Sequence, residues 1–186
     1  MVPVVSLLVP IALSAVFVFI ASSIIHMATP WHKNDLKKVP NEDGVMSALR
    51  PFNLQPGEYG FPKPDSTKDM QSPAFAEKMK AGPVAFMTVR PSGEFKMGSN
   101  LIQWFIFSLV VSLFAGYIAG VAFGPGTEYL RIMQVAGCVG CTGYGLAQAH
   151  ESIWWGRPWS RTLRSMADSL LYGLLTGGTF GWLWPR

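Results

Sequence analysis

The 186-residue sequence is short of charge: Asp, Glu, Lys and Arg make up 14% of it, against 49% hydrophobic residues. So apolar a chain is neither a disordered segment nor a nucleic-acid-binding protein, and no nucleic-acid partner is expected. Cysteine is scarce too. With only Cys138 and Cys141 the chain can hold no disulfide framework. Their C-x-x-C spacing reads as two small packing residues among Gly137, Gly140, Gly143 and Gly145 rather than as a redox pair, because a reactive thiolate needs an exposed, electropositive setting. No Gly-rich phosphate loop, nucleophile elbow or metal-spaced Cys/His pattern occurs between residues 28 and 97, and no catalytic residue is predicted anywhere.

The few charges are unevenly placed. Ten of the 15 Lys and Arg and eight of the 11 Asp and Glu fall between residues 28 and 97. What remains is strongly apolar. Residues 4–25 form a 22-residue run without a charge, enough to cross a ~30 Å hydrocarbon core. Further runs cover residues 101–123, 130–149 and 166–184. The predicted fold class is therefore a membrane all-α protein, a four-transmembrane-helix bundle, with a small α+β or irregular cytoplasmic insertion between helices 1 and 2. Its parts are helix 1 (residues 1–27), a loop segment (28–99) and a three-helix region (100–186, with helices near 101–123, 130–149 and 166–184). The first run lacks a basic amino end and an A-x-A site, so it reads as an uncleaved anchor.

Charge also orients the chain. Lys33, Lys37, Lys38, Lys78, Lys80, Arg90, Lys96, Arg157, Arg161 and Arg164 lie on one side, and only Arg131 and Arg186 on the other. By the positive-inside rule, residues 28–99 face the cytoplasm and both termini face the periplasm. Trp31, Trp104, Trp154, Trp155 and Trp159 are candidate anchors at the basic interface, and Tyr129, Trp182 and Trp184 at the opposite one. Arg131 and Gln134 read as snorkelling or interhelical polar residues.

Small side chains recur at helical spacing: Ser108, Ser112, Gly116 and Gly120, then Gly137, Cys141 and Gly145, then Gly173, Gly177 and Gly181. Such ladders let helix backbones approach closely in a bilayer. The polar segment has its own punctuation. Asn41 followed by Glu42 and Asp43 predicts a capped helix, and Ser72-Pro73 running to Gly82 predicts another. PVAFMTV reads as a strand that EYGF could pair with. Its few large apolar residues cannot make a core, so it is expected to lean on the bilayer or a partner.

Chemistry-bearing side chains gather near the basic end of the helices. His26, His150, Glu151 and Asp168 fall at one depth, with His32 six residues beyond His26. Imidazole and carboxylate from facing helices can hold a divalent metal. The alternative is that these groups are solvated, cap helix ends or pair with Arg157, Arg161 or Arg164.

SSIIHMATPWHK at residues 22–33, PNED at 40–43, GPVAFMTVRPSG from Gly82, GRPWS from Gly156 and the closing GWLWP resemble an uncharacterised family of small four-helix bacterial inner-membrane proteins. The resemblance spans most of the chain and implies topology, with no activity attached. The leading expectation is a structural or accessory subunit, or an assembly factor, of a larger membrane complex. Its partners would be the lipid bilayer and another membrane protein or further copies of itself. The alternative is a membrane-bound metal- or haem-binding protein using His26, His150 and Asp168. A transport component comes third, since no internal repeat is visible.

Overall fold

A computed structural model describes residues 1–94 and 96–186. In chain order the helices are α1 (Leu8–Ser23), α2 (Glu42–Leu49), α3 (Thr67–Met70), α4 (Pro73–Ala81), α5 (Met97–Ala122), α6 (Tyr129–Cys141), α7 (Gln148–Trp155) and α8 (Trp159–Trp182). Two strands, β1 (Gly57–Phe61) and β2 (Ala85–Val89), complete the regular structure. These elements fall into two compact units: Met1–Leu36 together with Lys96–Arg186, and Lys37–Phe95.

In the first unit α1 and α5 run antiparallel. Pro10 falls in the first turn of α1, where a backbone N–H would have no intrahelical acceptor, so the helix tolerates it. Three contacts tie the pair along its length: the Val2 amide donates to the Gly120 carbonyl (2.7 Å), the Ser14 hydroxyl to Ser112 Oγ (3.0 Å) and Trp104 Nε1 to Ser22 Oγ (2.7 Å). Ser14 and Ser112 are fully buried, and their mutual hydrogen bond removes the cost of leaving a hydroxyl dry. The amide of Gly126 donates to the Pro185 carbonyl (2.9 Å), and Trp184 Nε1 to that of Gly124 (3.0 Å). Both chain ends therefore lie at one end of this unit, opposite Ser22 and Trp104.

Helices α6 and α8 approach closely through glycine. A Cβ added at Gly173 would stand 2.7 Å from the Gly137 carbonyl oxygen and 2.8 Å from the Cys141 amide nitrogen. The other small residues of the ladders also meet neighbours: Gly116 lies against Phe180 and Ile11, Gly120 against Val2 and Leu7, Gly145 against Ser169, Gly177 against Met133 and Gly137, and Gly181 against Tyr129. Ser108 is buried on the same face of α5 as Ser112. Around these contacts Leu7, Ile11, Ala115, Ala119, Ile132, Ala136 and Phe180 form one apolar cluster, and Val18, Val111, Tyr144 and Tyr172 another. Cys141 belongs to the α6–α8 contact, whereas Cys138 is exposed.

The expected four-transmembrane-helix bundle is corrected. Among the described residues two helical segments, Val4–Ala28 and Met97–Ala122, are long and apolar enough to cross a membrane. The third expected span is too polar. Helix α6 carries Arg131 and Gln134 in its first half, and the π turn at Thr142–Leu146 that follows it leads into the polar start of α7. The fourth has the length, with 24 residues, but Arg161, Arg164, Asp168 and repeated Ser, Thr and Gly dilute its apolar character.

The second unit is small. Asn41 Oδ1 accepts from the Gly44 amide at the start of α2, and Ser72 Oγ accepts from the Phe75 amide at the start of α4. Helix α4 stops at Gly82, whose positive φ of 60° suits a residue without a Cβ. Strands β1 and β2 pair antiparallel from Gly57 opposite Val89 to Phe61 opposite Ala85. None of the described residues of this unit is buried. The unit starts at Lys37 rather than at residue 28 because the intervening residues pack on the first unit.

Candidate functional site

Helix α1 ends in a π turn, Ile24–Ala28, that carries His26. Its Nδ1 lies 2.9 Å from the Ser22 carbonyl oxygen. A carbonyl only accepts, so Nδ1 holds the proton and the Nε2 lone pair of the neutral ring is left for another partner. Thr29 then turns extended, its hydroxyl bonding back to the Ile25 carbonyl at 2.6 Å. Two successive turns follow, closed by the Lys33 amide on the Pro30 carbonyl (3.1 Å) and the Asp35 amide on that of His32 (3.0 Å). They bring the His32 ring over His26, centroids 4.3 Å apart and planes within 6° of parallel.

His32 is held at both nitrogens. Nδ1 lies 2.6 Å from Asp35 Oδ2, and Nε2 lies 2.6 Å from Asp168 Oδ2. The side chains of His32, Asp35 and Asp168 are 11%, 12% and 8% exposed, so these are largely desolvated contacts. Two contacts this short between nitrogen and carboxylate oxygen need two protons shared among three groups.

Helix α8 supplies the opposite wall. Arg161, Arg164 and Asp168 stand at positions i, i+3 and i+7, on one face. Arg164 Nη2 donates to Asp35 Oδ1, and Arg161 Nε lies 4.0 Å from Asp35 Oδ2. Burial pushes the Asp35 carboxyl upward. The hydrogen bonds from His32 and Arg164, with the charges of the same two groups, outweigh burial and hold it below the usual carboxylate range. Asp168 has no arginine partner of this kind among the described residues; its contact is His32. One turn further along α8, the Tyr172 ring packs edge-on against Tyr144 and Trp104, giving this end of the unit an apolar floor.

The sequence-derived candidates separate here. His26, His32 and Asp168 each present a ligand atom, and these atoms all lie within 4.8 Å of one another. His150 and Glu151 are not in that group. His150 is exposed, and Glu151 Oε2 pairs with Arg157 Nε at 3.0 Å. Asp35 and Arg164 enter as the buttress of His32, a role that sequence reasoning missed. The signal for it is the three-residue step from His32 to Asp35, too short to be anything but local. Of the expected tryptophan anchors, Trp31, Trp154, Trp155 and Trp159 are exposed, while Trp104 is half-buried and bonded to Ser22.

Chemically, two imidazole nitrogens and a carboxylate oxygen converge beside a cleft lined by His26, His32, Lys33, Asp35, Arg161 and Ser165. Such a set can bind a cation or relay a proton. No family model, curated protein or solved structure matches the chain.

Proposed function

We propose that the chain is an accessory subunit or assembly factor of a larger complex in a bacterial inner membrane. The observation that carries this reading is the coreless second unit. Its described residues include no buried one, and Phe52, Val84 and Met70 are each at least half exposed. A two-stranded sheet is marginal in water without further strands or a packed helix, and a unit this small has little apolar area to bury on its own. A surface supplied by another protein would cover those side chains.

The unit is flanked in sequence by Val4–Ala28 and Met97–Ala122, the two segments able to cross a bilayer. Basic residues concentrate next to them, in residues 28–97, which favours a cytoplasmic location for that stretch and a periplasmic one for the end holding both termini. Stoichiometric companions are expected when the tagged protein is purified in mild detergent and analysed by native mass spectrometry. A photo-crosslinker at Phe52 or Val84 should reach the same companion. A protein that runs only as a monomer or homo-oligomer, with crosslinks confined to itself, overturns the proposal.

A further inference from the structure

We propose that His26, His32 and Asp168 form the binding site for one divalent first-row transition-metal ion, with Asp35 and Arg164 orienting the His32 ring. The inference is independent of the partner reading above and rests on donor chemistry and geometry in the first unit.

Two imidazoles and one carboxylate are the donor set of three-ligand sites for ions such as Zn²⁺ and Fe²⁺, which keep further positions open to water or substrate. The three ligand atoms already lie within 4.8 Å of one another. An ion about 2.0–2.2 Å from each requires ligand atoms roughly 3–3.5 Å apart. His32 Nε2 and Asp168 Oδ2, now 2.6 Å apart, would separate by somewhat under an ångström, and the exposed His26 ring would rotate out of its parallel stack on His32, about its Nδ1–Ser22 contact, so that both in-plane lone pairs aim at one point. In the exchange, the proton bridging His32 and Asp168 departs to solvent and the ion takes its place between the same two atoms.

The surroundings match what metal-bound histidines require. Such rings almost always donate their second N–H to a carboxylate or a backbone carbonyl, which fixes the tautomer and aims the free nitrogen. Both forms occur here: His26 Nδ1 donates to the Ser22 carbonyl, and His32 Nδ1 faces Asp35. Arg164 in turn anchors Asp35, so the support is two residues deep. Two of the three ligands, His26 and His32, line a surface cleft together with Lys33.

Two other occupants fit less well. Axial haem ligation would need the two imidazoles to point at each other from opposite faces of the macrocycle, whereas these rings are stacked face to face. Lys33 and Arg161 at the cleft would attract an anion, but the buried carboxylate of Asp168 faces the same nitrogens and repels one.

The test is titration of the full-length, chelator-stripped protein in detergent with Zn²⁺ by calorimetry, and with Co²⁺ by visible absorption. One equivalent is expected, together with a Zn²⁺-dependent rise in Tm. His26→Ala, at an exposed position, and His32→Ala should each weaken binding at least about tenfold, and Asp35→Asn about 10- to 100-fold with stoichiometry retained. His150→Ala and Glu151→Gln should leave the isotherm unchanged. The proposal is overturned if the wild type takes up no stoichiometric metal, or if His26→Ala binds as the wild type does. It fails equally if His32→Ala lowers Tm without altering uptake, which would mark a purely structural ion-pair network, or if inorganic phosphate binds where Zn²⁺ does not.

Discussion

Asp35 joins the loop after α1 to helix α8 through side-chain contacts, to His32 on one side and to Arg164, with Arg161 Nε 4.0 Å away, on the other. Because its folded-state carboxyl is held below the ordinary value of 3.8, the stability it contributes is fully present above that value. It is lost as pH falls through the lower folded value. Thermal melts of the wild type should therefore steepen their decline in acid below about pH 4, while Asp35→Asn, already lacking the ionised group, should lose less on the same descent. Equal acid slopes would show that Asp35 carries no such linkage. At this scale the candidate site was half legible. His26 and Asp168 are recognisable from their depth along helical segments, but depth says nothing of azimuth. The π turn at Thr142–Leu146 adds a residue to its turn, rotating everything after it by about 100° relative to a continuous α-helix. His150 and Glu151 lie beyond that turn, outside the group.

Among the elements, the contact between α6 and α8 depends most strictly on side-chain size. At Gly173 the nearest atoms to an added Cβ are backbone, the Gly137 carbonyl oxygen and the Cys141 amide nitrogen, and backbone cannot rotate away. Gly173→Ala should therefore destabilise by roughly 1–3 kcal/mol. Gly98, near the start of α5, has nothing within 4 Å of its would-be Cβ, and Gly98→Ala should instead stabilise by about 0.5–1 kcal/mol through helix propensity. Denaturation of the two variants in one detergent checks both, and a neutral Gly173→Ala would show that the helices can part without cost. The ladder residues were recognisable from spacing alone, since small side chains every fourth position can serve only one face. Which ladder meets which was not, because Gly137 could face α5 as readily as α8 on spacing grounds.

For the molecule as a whole, the flanking of the second unit by two apolar segments sets up a topology prediction. Single cysteines at Ser92 and Lys63, in a background lacking Cys138 and Cys141, should resist a membrane-impermeant thiol reagent in intact cells and react once the inner membrane is opened. A cysteine at Gly126, beside Pro185 at the end that holds both termini, should react in cells permeabilised only at the outer membrane. Labelling of Ser92→Cys before lysis would invert the orientation proposed here.

The sequence by itself determined the two uncharged segments able to cross a membrane and the capped starts of α2 and α4, because each follows from hydropathy or capping over consecutive residues; it offered EYGF as a partner for the PVAFMTV strand, and the tertiary structure pairs them. Reading apolar runs as spans went too far for residues 130–149 and 166–184, since the first carries Arg131 and Gln134 and passes through a π turn, and the second carries Asp168 with the Ser, Thr and Gly of α8. Only the tertiary structure decided that His32, from a loop, joins His26 and Asp168 while His150 does not. A side chain's neighbours across 136 residues of separation depend on turns and helix rotation, which no local pattern encodes.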